Sequence, residues 1–118
     1  MHYKMRYRRA RPSTHMPSLL PPFGPPRHAA FPSGHAFTSH LIVALLTTAA
    51  ALKPRAAELS WLADRIGLMR EYAGLHFGMD TEAGKVLATA VVGSAIKAGD
   101  HTQIDLLLTK LAEEWSEA

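Results

Sequence analysis

Cysteine is absent from the 118 residues. That excludes a disulfide scaffold, thiolate zinc sites and a cysteine nucleophile. Carboxylates are missing from half of the chain. Residues 1–57 carry eight Lys or Arg and no Asp or Glu, whereas residues 58–118 carry five cations and ten acids. The formal net charge of +3 conceals this division. A half-chain without acids presents positive potential to something anionic: nucleic acid, an anionic surface or a small phosphate-like ion. Long apolar runs are also scarce. The longest, residues 36–52, carries Thr38, Ser39, His40, Thr47 and Thr48. A spanning helix needs about 20 mainly apolar residues, so this run is a core helix and a membrane location is not expected. The basic start MHYKMRYRRARP has no apolar stretch behind it and is not a signal peptide. A soluble protein is expected, cytoplasmic or, after trimming of an export segment, periplasmic.

Proline is plentiful but confined. Seven of the eight prolines lie between Pro12 and Pro32. Proline blocks helix interiors and central strands, so residues 12–32 are expected to form an ordered, non-helical loop wrapped over the domain. Beyond Pro32 the pattern turns helical, and the predicted helices cover about 34–52, 56–72, 81–98 and 101–115. In the second, Leu59, Leu62, Ile66 and Met69 recur at spacings of three and four, and Gly74 supplies a stop. Asp80 is the expected N-cap of the third helix. In the fourth, Ile104, Leu107, Leu108, Leu111 and Trp115 share one face. Strand signals and repeats are lacking. The expectation is a single all-α domain over residues 1–118, a bundle of about four helices preceded by a Pro-rich ordered loop.

Three blocks carry the chemistry. The first runs from Lys4 to Arg11-Pro12, with six residues between the two cations. The second is Pro32-Ser33-Gly34-His35, where the loop enters the first predicted helix. The third runs from Arg70 through His76 to Asp80. Arginine forks match tetrahedral oxyanions and lysine adds a point charge. The start of a helix offers unpaired N–H groups, and glycine permits close approach. Of the two histidines, one can attack as a nucleophile while the other transfers a proton. Asp80, four residues beyond His76, could hold the second imidazole nitrogen.

In order and spacing these blocks resemble the three-part signature of the type 2 phosphatidic acid phosphatase and vanadium haloperoxidase superfamily, K-x6-R-P, P-S-G-H and S-R-x5-H-x3-D. Met69 is the one departure, since that pattern usually has Ser before the Arg. The Pro-rich approach to PSGH is similar to that of soluble bacterial members. The resemblance implies an oxyanion cradle of Lys4, Arg11, Ser33, Gly34 and Arg70. It implies that His76 attacks phosphorus to give a phosphohistidine, that His35 protonates the leaving group and then activates water, and that Asp80 orients His76. No metal or other cofactor is implied for a phosphatase. Vanadate would act as an inhibitor, or as the cofactor of a haloperoxidase using the same site. Members generally carry helices before the first block, which here begins at residue 4.

The expected function is therefore metal-independent hydrolysis of a small phosphate ester. A vanadium-dependent haloperoxidase is the alternative on the same residues, and a non-catalytic anion- or nucleic-acid-binding module is the alternative of another class; no nucleic acid partner is expected. Arg6, Arg8 and Arg9 are expected to form a solvated flank of the site. His28 is a candidate for its surroundings, and His40 for a packed core histidine. The histidines lack the spacing and supporting acids of a zinc site. The apolar wealth of the first and third predicted helices predicts a homo-oligomer.

Overall fold

The computed structural model describes residues 2–49, 52–98, 105–106, 109–110 and 113. Among them every regular element is helical: α1 His2–Tyr7, α2 Pro12–His15, α3 Gly34–Leu46, a 3-10 turn Lys53–Arg55, α4 Ala56–Tyr72 and α5 Gly78–Ala98. The expected all-α bundle is what forms. α3 is its centre, packed chiefly on α5 and then on α4. The predicted helix over 101–115 and its apolar stripe lie almost wholly outside the described residues.

The core is built from small side chains. Ala30, Ala36, Ala63 and Ala88 are fully buried or nearly so, and Leu75 is the largest apolar side chain wholly removed from solvent. Small residues let the helices approach closely. A Cβ on Gly84 of α5 would sit 2.7 Å from the Ser33 carbonyl oxygen and 2.9 Å from the Phe37 nitrogen. A Cβ on Gly67 of α4 would meet the Thr81 methyl at 2.7 Å. These two glycines set how tightly α3, α4 and α5 come together.

The termini of the long helices follow local chemistry. Ser33 caps α3, its hydroxyl accepting from the Ala36 N–H at 3.4 Å. α3 ends at Leu46, well before the predicted residue 52. Thr47 and Thr48 turn their hydroxyls onto the Val43 and Leu45 carbonyls at 2.8 and 2.6 Å, and the backbone tightens into 3-10 turns. α4 covers its predicted span and closes in a Schellman turn. Gly74, at φ +67°, donates to the Glu71 carbonyl at 2.8 Å and Leu75 donates to that of Arg70 at 3.1 Å. α5 begins three residues earlier than expected, so Asp80 is not its N-cap. It lies inside the first turn and reaches back, its Oδ2 accepting from the Phe77 N–H at 2.8 Å, the acid half of a capping box.

Two short helices depart from the sequence reading. α2 lies at the start of the segment expected to exclude helix. Pro12 occupies its first turn, where a missing N–H costs nothing. α1 has no amphipathic pattern and is fixed by tertiary contacts instead. Lys4 Nζ donates to the carbonyls of Ala29 at 2.8 Å, Ala30 at 3.2 Å and Pro32 at 2.8 Å, and Ala30 N–H donates to the Arg9 carbonyl at 2.9 Å. These bonds lace the end of the Pro-rich loop to the N-terminal block. The Phe31–Pro32 peptide within it is cis.

Candidate active site

The three sequence blocks meet at one end of α3. Ser13 N–H donates to the Gly74 carbonyl at 3.0 Å, and Arg11 Nη1 donates to that of Leu75 at 2.6 Å. The N-terminal block is thereby pinned to the turn after α4. Ser33 N–H donates to the Asp80 carbonyl at 2.8 Å, which pins the start of α3 to the first turn of α5.

These contacts enclose a cavity of about 730 Å³. Its polar end is lined by Lys4, Arg11, Gly34, His35, Arg70 and His76, with His28 at the rim. It continues as an apolar groove between α3 and α4, lined by Ile42, Val43, Leu46, Leu59, Leu62 and Ile66. The apolar stripe that marks α4 in the sequence therefore faces this groove more than the core; Leu62 is 51% exposed.

The polar end is strongly cationic and partly dry. Arg11 is buried, and its second amino group donates to the His28 carbonyl at 3.0 Å and lies 3.3 Å from His28 Nδ1. Its Nε is buried without a partner among the described residues, as is the Nε of Arg70. The Arg70 guanidinium lies 5.2 Å from the centre of the Phe23 ring, a partner that sequence pattern did not single out. Burial, and then the proximity of Arg11, lowers the proton affinity of Lys4. Gly34 opens onto the cavity, since a Cβ there would meet nothing within 4 Å among the described residues. As the first residues of α3, Gly34 and His35 have N–H groups with no acceptor inside the helix.

His76 is buried beside buried Asp80, with Nδ1 3.6 Å from Oδ2. The separation is slightly longer than a hydrogen bond. Burial outweighs the carboxylate and lowers the His76 pKa, favouring the neutral ring. Burial alone would raise Asp80. The contact with His76, the Phe77 N–H and Arg9 outweigh it and hold the carboxyl below its ordinary value. His35 is exposed at the cavity wall, where partial desolvation, then Arg70 and His76, lowers its pKa.

Three predicted residues take places that their spacing did not convey. Ser33 is wholly buried behind the cavity, with its N–H given to Asp80 and its hydroxyl to the helix cap. Lys4 lines the cavity, but its three donors are matched by three loop carbonyls. Arg9 is not a solvated flank. Its Nη1 lies 3.6 Å from Asp80 Oδ1, and its guanidinium sits 4.5 Å from the centre of the Phe77 ring. In the sequence, nothing separates it from Arg6 and Arg8. His40 is largely buried and lies away from the site, with Nε2 3.3 Å from Asp64 Oδ1.

No group of three or more His, Asp or Glu side chains able to hold a metal occurs among the described residues. No helix among them is long and apolar enough to cross a membrane. Comparison with models of known protein families gives no match, and neither does comparison with curated proteins.

Proposed function

We propose that this chain hydrolyses phosphate esters through a phosphohistidine, without a metal. The observation that carries the reading is the convergence on one cavity of Arg11, Arg70, the open start of α3 at Gly34, and two histidines, one of them backed by Asp80. Arg11 and Arg70 supply charge where the phosphoryl group gains it. The free N–H groups of Gly34 and His35 add donors at the positive end of a helix.

His76 is the nucleophile. Its neutral ring is favoured by burial, and a proton on Nδ1 facing Asp80 leaves Nε2 as the attacking atom. Attack forms the P–N bond and breaks the bond between phosphorus and the ester oxygen. Protonated His35 delivers its proton to that oxygen. In the second step His35 takes a proton from water, the water oxygen bonds to phosphorus, and His76 is released. Asp80 stabilises the cationic ring between the steps. The groove between α3 and α4 extends from the cationic end and offers the ester's organic group an apolar wall.

His76→Ala tests the nucleophile. Phosphate release should be abolished with helical circular dichroism retained, and rapid quenching of wild type under conditions that spare acid-labile phosphoramidates should trap phosphate on His76. Turnover by His76→Ala would refute the mechanism. Orthovanadate should compete with substrate in the wild type.

A further inference from the structure

A second cavity of about 440 Å³ lies beside the first. The two share Lys4, Arg11, Pro26 and His28, so the Arg11–His28 pair forms part of the wall between them. Arg8, Arg9 and Arg27 also line the second cavity, and no carboxylate among the described residues does.

The partners of these cations differ. The donors of Lys4 are matched by loop carbonyls, and Arg11 bonds Leu75 and His28. Arg9 approaches Asp80. Arg8 donates only through Nε, to the Met5 carbonyl at 3.3 Å, which leaves its terminal amino groups unclaimed among the described residues. Arg27 makes no hydrogen bond or ion pair among them. Arg8 also holds φ at +43°, a state that residues with a Cβ rarely adopt and that concentrates at functional sites. Five like charges around one hollow repel each other, and an anion bound there would relieve the repulsion.

We infer that this cavity is a second oxyanion site, which binds a phosphate group through Arg8 and Arg27 while the first cavity binds another. Two guanidinium forks suit a tetrahedral oxyanion, and the shared wall brings the two sites close enough for one molecule to reach both. The second phosphate is either part of the same ligand or free in solution. Binding at this site does not require turnover in the first cavity.

The test is calorimetric titration of the full chain with inorganic phosphate at low ionic strength. Wild type should bind two equivalents. Arg8→Gly/Arg27→Ala should bind one, with circular dichroism unchanged, because both side chains are exposed and glycine accepts the Arg8 backbone. Arg70→Ala should keep the equivalent that the double variant loses. The milder Arg27→Gln should weaken that equivalent roughly ten-fold by removing charge-assisted bonds. One equivalent in wild type, or two in the double variant, would overturn the proposal. A series of α,ω-alkane bisphosphates separates the sources. One bisphosphate per chain, bound about ten-fold or more tighter than the monophosphate and losing that advantage in the double variant, assigns both phosphates to one ligand. Two per chain with no advantage assigns the second site to free phosphate. Failure of wild type to hydrolyse any ester would refute the phosphatase reading alone, because the stoichiometry would still be measured.

Discussion

Gly84→Ala is the sharpest probe of how the fold positions the site. An alanine inside a helix ordinarily stabilises by about 0.5–1 kcal/mol relative to glycine. At Gly84 the new methyl would lie 2.7 Å from the Ser33 carbonyl oxygen and 2.9 Å from the Phe37 nitrogen. Ordinary carbon contacts lie at about 3.5–4.0 Å, so α5 must retreat by roughly 1 Å. Both obstacles are backbone and cannot rotate away. Overpacking of this kind costs about 1–3 kcal/mol. Gly93, on the same helix, is the matched control, since a Cβ there meets nothing within 4 Å among the described residues. Gly93→Ala should show only the propensity gain. The two variants should therefore melt roughly 4–12 °C apart, Gly84→Ala lower, as followed by circular dichroism or calorimetry. The retreat would also strain the bond from Ser33 N–H to the Asp80 carbonyl, which ties the anion-binding end of α3 to the histidine–aspartate pair. A misplacement near 1 Å costs about 100-fold in rate, so phosphate release by Gly84→Ala should fall on that scale while Gly93→Ala stays near wild type. Coincident melting curves would refute the close-approach argument.

Arg70→Ala removes a charged donor to the transferring phosphoryl group and should lower kcat about 10²–10³-fold, with weaker competition by vanadate; a loss of a few-fold would remove Arg70 from the cradle. The alkaline limb of kcat/KM reports loss of the His35 proton in the free protein, and partial desolvation with Arg70 nearby lowers that pKa. The limb should therefore fall on the acid side of pH 6.5, the ordinary histidine value, and a midpoint above it would contradict the lowered His35 pKa. α4 presents Trp61, Leu62 and Tyr72 to solvent, at 65%, 51% and 72% exposure. Light scattering at micromolar concentration should detect self-association, and Trp61→Glu should shift the population towards monomer.

The parts of this molecule that could be read from the sequence are those set by local chemistry. Ser33 announces the start of α3, and Gly74 announces the end of α4 because only a left-handed residue closes that turn. The spacings Lys4–Arg11 and Arg70–His76–Asp80 name most of the residues that line or back the polar end of the cavity. The parts that could not be read depend on what lies opposite. Lys4 looks like a free cation until three loop carbonyls close on it. Arg9 looks like its neighbours until Asp80 is placed beside it. The stripe on α4 declares itself apolar, but periodicity cannot say whether another element covers it, and here it borders an open groove. The early end of α3 turns on two threonine hydroxyls bonding backwards, a choice invisible in a count of apolar residues.

The bond from Arg11 to the Leu75 carbonyl spans 64 residues of chain. Lys4 reaches Pro32 across 28, and Ser33 meets Asp80 from the other side of the bundle. The set is not complete until residue 80 has left the ribosome, and each closure must meet its own loop-closure entropy. A nascent chain that has folded α3 and α4 is thus already helical yet holds no assembled cavity. Spectroscopic helicity and affinity for an oxyanion should consequently emerge at different chain lengths during synthesis, and the second would report completed assembly where the first would not.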